Sequence, residues 1–204
     1  MKLYWSPRSP FARKVMVFAH EAGLAGRIEA VRTLVSMTSP NRELMRVNPL
    51  GKIPTLVTDD GTVLFDSLVI CEYLDSLHGG ARLFPQVSQK RWLALRWHAL
   101  GNNMLDNLVP WRNEVLRPKP QQSPEVLAGF ELKIRSSLEF LDKEAAALGA
   151  ASLGIGHVAI ACALGYIDFR FPELDWRNGH SKITAWYESF AQRPSIRNTM
   201  PVDA

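Results

Sequence analysis

Cysteine is scarce in this chain, with Cys71 and Cys162 the two present. Both fall in helix-like apolar stretches with no C-x-x-C spacing, which excludes a disulfide framework and a thiolate metal site and points to a reduced, cytoplasmic setting. The five histidines, His20, His78, His98, His157 and His180, show no metal-ligand spacing, so no metal is expected. Long apolar runs are absent too. The longest, around Val158 to Leu164, is far shorter than the ~20 residues of a membrane-spanning helix, so no membrane partner is expected. Lys2, Arg8, Arg13 and Lys14 break up the N-terminal region, which has no small-residue cleavage site and so does not read as a secretory signal. A net charge of +4, spread thinly and without aromatic interleaving, argues against a nucleic-acid partner.

What is present is the composition of an ordinary globular protein, 47% hydrophobic and 22% charged over 204 residues. Lys2–Trp5 reads as a strand that turns at Ser6-Pro7-Arg8-Ser9. Pro10 then sits at a first helical position. Phe11, Val15, Phe18, Ala19 and Ala22 share a helix face that Gly23 ends. A second strand follows over 28–32, and a short helical piece from Ser39-Pro40 to Arg46. Strands over 55–58 and 62–65 flank the hairpin signal Asp59-Asp60-Gly61, and a helix runs over 67–77. This order, β-α-β-α-β-β-α, makes a small α/β unit with a mixed sheet. After Phe84-Pro85 strand signals largely vanish. Helical patterns run over about 89–109, 124–148, 156–168 and 181–192, so residues 1–84 read as an α/β domain and 85–204 as an all-helical one.

Two segments offer chemistry. In Asn48-Pro49-Leu50-Gly51-Lys52-Ile53-Pro54-Thr55-Leu56, an Ile-Pro pair precedes an apolar strand; Pro54 has no N–H, and the Ile53 backbone is left for an outside partner. Downstream, Asp66-Ser67 opens a helix, where N–H groups and a hydroxyl attract a carboxylate. Together these read as a holder for a small anionic peptide. A third segment, Ser6-Pro7-Arg8-Ser9-Pro10-Phe11, places hydroxyls at a strand end just before a helix N-terminus.

These motifs, with the tail Trp186-Tyr187-x-x-Phe190-x-x-Arg193-Pro194-Ser195, resemble the cytosolic glutathione transferases of bacterial type over essentially the whole chain. The resemblance implies a thioredoxin-like domain followed by a helical bundle, with glutathione as co-substrate and a homodimer formed between the start of one helical domain and the partner's first domain. It implies a cis peptide before Pro54, with Ile53 pairing to the cysteinyl backbone of glutathione and Lys52 reaching a carboxylate. Ser67 would hold the γ-glutamyl carboxylate and Asp66 the ammonium, although many relatives carry the longer glutamate at that position. Ser9 stands where relatives carry the cysteine or serine that acts on the thiol; Tyr4 and Ser6 remain rivals for that role. A cysteine thiol near pKa ~8.5 needs ~2.7 kcal/mol of preferential thiolate stabilisation to fall by about two units, within reach of one hydroxyl donor plus a helix terminus. A serine at position 9 cannot form the mixed disulfide that a cysteine would, which favours conjugation over disulfide reduction.

The small hydrophobic electrophile would be held against the helical domain by Trp97, Met104 and Trp111, with Leu108 on the same helical face and Tyr166 and Phe169 as further candidates. Such spacing equally describes core packing. A non-catalytic glutathione-binding protein on the same fold, or a glutathione-dependent isomerase or dehalogenase, are the alternatives. The zeta-class signature Ser-Ser-Cys-Ser is absent, since the chain reads Ser6-Pro7-Arg8-Ser9. Gly154-x-Gly156-x-x-Ala159 mimics a dinucleotide fingerprint, but no strand precedes it. Gly154 and His157 stand where relatives carry the Ser/Thr and Asp of a capping box, so that interaction is expected to be missing.

Overall fold

Leu3 and Leu56, directly opposite each other on adjacent strands, are both fully buried and mark the inner face of a four-stranded sheet. The computed structural model describes residues 1–203 of the chain. Strands β1 (Lys2–Trp5), β2 (Glu29–Arg32), β3 (Thr55–Val57) and β4 (Val63–Leu64) line up as β2-β1-β3-β4. β1 pairs parallel with β2, and antiparallel with β3, which pairs antiparallel with β4. Helices α1 (Pro10–Glu21) and α3 (Ser67–Ser76) pack on each other and supply Val15, Phe18, Ile70 and Leu74 to the core; the short α2 (Arg42–Met45) lies between β2 and β3 in sequence. The expected β-α-β-α-β-β-α order is borne out.

The β3–β4 hairpin turns at Gly61, whose φ of +86° is open to glycine. Asp60 fastens the turn by accepting the Thr62 N–H at 3.1 Å and the Thr58 hydroxyl. At the far end of α3, buried Asp75 accepts the Leu83 N–H at 2.9 Å, the Phe84 N–H at 3.2 Å, and the His78 Nε2 at 3.1 Å. That carboxylate folds the segment after α3 back so that Phe84 packs its ring 5.9 Å from Phe18.

The chain divides into two compact units, one of residues 1–86 joined by the segment from Pro194 on, the other Val87–Arg193. The C-terminal segment, which the sequence pattern groups with the helical part, thus returns to the first unit. The reason is local: Ile196 of α8 (Pro194–Arg197) is fully buried, α8 packs on α1, and the Ser195 hydroxyl donates to Glu21 at 2.5 Å.

The second unit contains α4 (Ser88–Val115), α5 (Pro124–Ala150), α6 (Ile155–Arg170) and α7 (Ser181–Phe190). α6 is buried on all sides from Ile155 to Ile167, as a helix apolar all round must be. It crosses α4 at two glycines. A Cβ on Gly101 would lie 2.6 Å from the Ala159 backbone, and one on Gly156 2.7 Å from the Trp97 Cβ. The sequence pattern ends α4 at Val109, before Pro110; the structure carries it through Pro110 to Val115. Proline removes one N–H from the ladder, and the burial of Trp111, its ring 4.6 Å from Phe171, holds the turns beyond. α7 borrows its cap from α5: Asp142 Oδ1 accepts the N–H groups of Lys182 and Ile183 at 2.8 and 3.0 Å.

Candidate functional site

The strand register gathers the sequence motifs of the first unit. β1 and β3 run antiparallel with Tyr4 opposite Thr55, so the exit of β1 into Ser6–Ser9 lies beside the entry of β3 at Ile53-Pro54. β4 runs antiparallel to β3 with Leu64 opposite Leu56, which brings its exit, Phe65-Asp66-Ser67, to that same end of the sheet. Three separate segments therefore converge at one sheet end, two of them helix N-termini that favour anions.

Ser9 is the N-cap of α1. Its backbone is extended, Pro10 follows at the first helical position, and its Oγ accepts the Ala12 N–H at 3.2 Å. No acidic residue sits in the first turn of α1 to offset the positive end of the helix. Capping uses a lone pair of the hydroxyl and leaves its single proton for donation, so cap and proton donor are compatible roles for Ser9. Ser6 is buried and its Oγ accepts the Arg8 N–H at 3.3 Å, fastening the turn beneath Ser9. Tyr4 lies inside β1, on the face opposite Leu3, with the Lys2 ammonium 6.0 Å from its ring centre.

The Ile53-Pro54 bond is cis, as the resemblance implies. Ile53 is buried, and neither its N–H nor its C=O has a hydrogen-bond partner among the described residues. The loop before it is organised by Asn48, which is 1% exposed. Asn48 Nδ2 donates to the Lys52 carbonyl at 3.1 Å and to Thr55 Oγ1 at 2.9 Å, while its Oδ1 accepts the Leu50 N–H at 3.0 Å. The Thr55 hydroxyl in turn donates to the Lys52 carbonyl at 2.8 Å. Gly51, with φ +59°, closes the turn on the Asn48 carbonyl. Sequence reasoning assigned no role to Asn48 or Thr55; the signal was the Asn-Pro-x-Gly turn, where an asparagine side chain bonds its own downstream backbone. Lys52 places its side chain in solvent.

Asp66 follows a cis bond from Phe65 and caps α3 through Oδ1, which accepts the Leu68 N–H at 2.9 Å. Its second oxygen is available. Ser67 is 1% exposed, and its Oγ is a buried polar atom without a hydrogen-bond partner among the described residues. A buried, unsatisfied hydroxyl at a helix N-terminus fits a carboxylate acceptor.

Family models for the glutathione S-transferase N-terminal and C-terminal domains match residues 8–77 and 124–189. This chain belongs to the glutathione S-transferase family. It is 30% identical to the GST-like protein YibF of Escherichia coli (strain K12), itself uncharacterized, over all of both chains. A glutathione transferase family member from Pseudomonas fluorescens Pf-5, solved with bound glutathione, shares 42% identity and a TM-score of 0.95 over 98% of each chain. A glutathione S-transferase from Methylobacillus flagellatus KT, solved with glutathione bound, shares 34% identity and a TM-score of 0.88 over 98% of this chain and 99% of its own. The mixed sheet followed by the helical unit is the fold of this family.

The three residues expected to meet the electrophile lie in the second unit, all buried within it. Trp97 donates its indole N–H to Glu144 at 2.9 Å and sets its ring edge-on to His157 at 5.7 Å. Met104 is 2% exposed, and Trp111 packs against Phe171 with the two rings tilted by 34°. Tyr166 is buried, its ring edge-on to Phe169 at 6.5 Å. Among the described residues no group of three or more His, Cys, Asp or Glu side chains could hold a metal ion, and no helix is long and apolar enough to cross a membrane.

Proposed function

We propose that this protein is a glutathione-conjugating enzyme: it binds glutathione in residues 1–84, and Ser9 stabilises the thiolate for attack on a small hydrophobic electrophile. The observation that carries this reading is the Ser9 hydroxyl at the start of α1, capping Ala12 while keeping its proton, at the sheet end where Ile53-Pro54 and Ser67 also lie. The free Ile53 backbone would pair with the peptide's cysteinyl unit, the Ser67 hydroxyl and N–H with its γ-glutamyl carboxylate, Asp66 Oδ2 with its ammonium, and Lys52 with the remaining carboxylate. Glutathione bound in relatives at 42% and 34% identity supports the ligand.

One hydrogen bond to sulfur and the helix terminus favour thiolate over thiol, and the thiolate adds to the electrophile with no covalent role for the protein. Residues 85–204 are proposed as the helical domain that supplies the electrophile's contacts, with Trp97, Met104 and Trp111 as the candidates. Dimerisation is proposed on the strength of Trp92 and Leu132, each 68% exposed on α4 and α5. A cytoplasmic location fits a chain whose two cysteines are buried and outside any disulfide.

The test combines glutathione calorimetry with turnover on a panel of electrophiles, for the parent and Ser9→Ala. The expected result is binding by both proteins, with kcat/KM about 10²-fold lower in Ser9→Ala and its pH profile moved to higher pH. Absence of glutathione binding overturns the whole reading; turnover untouched by Ser9→Ala overturns the role of Ser9.

A further inference from the structure

Arg13, on the second turn of α1, is 3% exposed. Its guanidinium donates through Nη2 to the Ile196 carbonyl at 3.4 Å and to the Met200 sulfur at 3.8 Å. Its Nε and Nη1 are buried without any hydrogen-bond partner, and no carboxylate pairs with it among the described residues. A buried cation with vacant donors and a thioether as its neighbour is poorly served, because divalent sulfur is a weak acceptor. Met200 itself is 58% exposed, so solvent-borne reagents reach the residue whose sulfur faces the buried guanidinium. Met45 offers the contrast: it is 41% exposed, and its sulfur has no donor among the described residues.

We propose that Met200 is a reversible oxidation site, at which a hydroperoxide converts the thioether to a sulfoxide whose oxygen is received by the buried guanidinium of Arg13. In the step a sulfur lone pair attacks the outer peroxide oxygen. The O–O bond breaks, the S=O bond forms, and the displaced alkoxide leaves as an alcohol after taking the hydroxyl proton (water, where the oxidant is hydrogen peroxide). Sulfur loses two electrons and the peroxide gains them. With S···Nη2 at 3.8 Å, an oxygen ~1.5 Å from sulfur on a bond pointing roughly 40° off the S···Nη2 line lies ~2.8 Å from that nitrogen, the length of a charge-assisted bond. Oxidation of methionine ordinarily loosens a packed contact. Here it replaces a weak acceptor with a strong one and tightens the segment after α8 onto α1, where Arg8 and Asp203 already make an exposed ion pair at 3.6 Å.

The experiment treats full-length protein carrying Met37→Leu and Met45→Leu with hydrogen peroxide, confirms a single oxygen on the Met200 peptide by mass spectrometry, and compares melting temperatures. A rise of about 2–4 °C, with slower amide exchange from Ile196 to Asp203 and reversal by methionine sulfoxide reductase, is expected. Without any oxidant, Met200→Gln, which sets an amide oxygen where the sulfoxide oxygen would be, is expected to melt above Met200→Leu. An unchanged or lowered melting temperature on oxidation, or a Met200→Gln protein no more stable than Met200→Leu, overturns the proposal.

Discussion

The imidazole of His157 closes the N-terminus of α6 by accepting the N–H of Gly154 through Nδ1 at 3.2 Å. Gly154 has no side chain to return the bond, so half of a capping box is built, by a residue type that seldom serves there. The other ring nitrogen, Nε2, donates to the Leu148 carbonyl at 3.0 Å, and with both nitrogens so engaged the ring is neutral.

A pH dependence follows. Burial pushes the His157 pKa below its ordinary value, with the bond to the Leu148 carbonyl opposing the shift and Arg193 adding to it. A depressed folded-state pKa means that the unfolded chain binds the proton first as pH falls. The stabilising contribution is complete above the unfolded pKa of ~6.5 and is lost progressively below it, by at most ~1.4 kcal/mol per pH unit. Urea melts at pH 7.5 and 5.5 should show this loss in the parent. His157→Ala should be less stable by about 2–4 kcal/mol at pH 7.5 and should lack that part of the slope.

The α4–α6 crossing sets up a contrast among glycines. Gly101→Ala and Gly156→Ala should each cost about 3 kcal/mol or more, because the added methyl meets backbone at 2.6 Å in one case and the Trp97 Cβ at 2.7 Å in the other. Gly129→Ala, in the interior of α5 with nothing within 4 Å, should gain about 0.5–1 kcal/mol. Thermal melts of the three variants distinguish these outcomes.

Ser67 should separate stability from binding. Its Oγ is buried and unsatisfied, so Ser67→Ala removes a desolvated hydroxyl and should leave the melting temperature unchanged or raise it. Glutathione affinity should fall about tenfold, read by calorimetry, if that hydroxyl meets the ligand's carboxylate.

Asn48 should behave oppositely. Asn48→Ala strips two donors and an acceptor from the turn before Ile53, and should cost about 2–3 kcal/mol in denaturant melts while also weakening glutathione binding. Asn48→Asp should be no better, since it puts a carboxylate against the Lys52 carbonyl.

The parts of this fold visible in the sequence are those set by local chemistry. Pro10 after Ser9, Gly61 in its hairpin and Asp66 before α3 each announce a terminus or a turn through their own backbone preferences, and the structure places each accordingly. The parts that were not visible depend on partners distant in sequence. Pro110 fails to end α4 because Trp111 is held by Phe171, sixty residues on. Asp142 caps a helix about forty residues away. Arg13 reads as one more basic residue near the N-terminus, and its burial beneath α8 depends on a chain reversal that no local pattern encodes. At the candidate site, the residues that would touch glutathione carried a signal, whereas Asn48 and Thr55, which shape the loop from below, carried little.

The return of α8 to α1 makes the first unit discontinuous along the chain. On the ribosome, α1 and the sheet emerge early, but the segment that covers Arg13 is made only after the entire helical unit. The unit that leads in synthesis thus waits for its last segment, and until then the guanidinium one turn from Ser9 lacks both the Ile196 carbonyl and the Met200 sulfur.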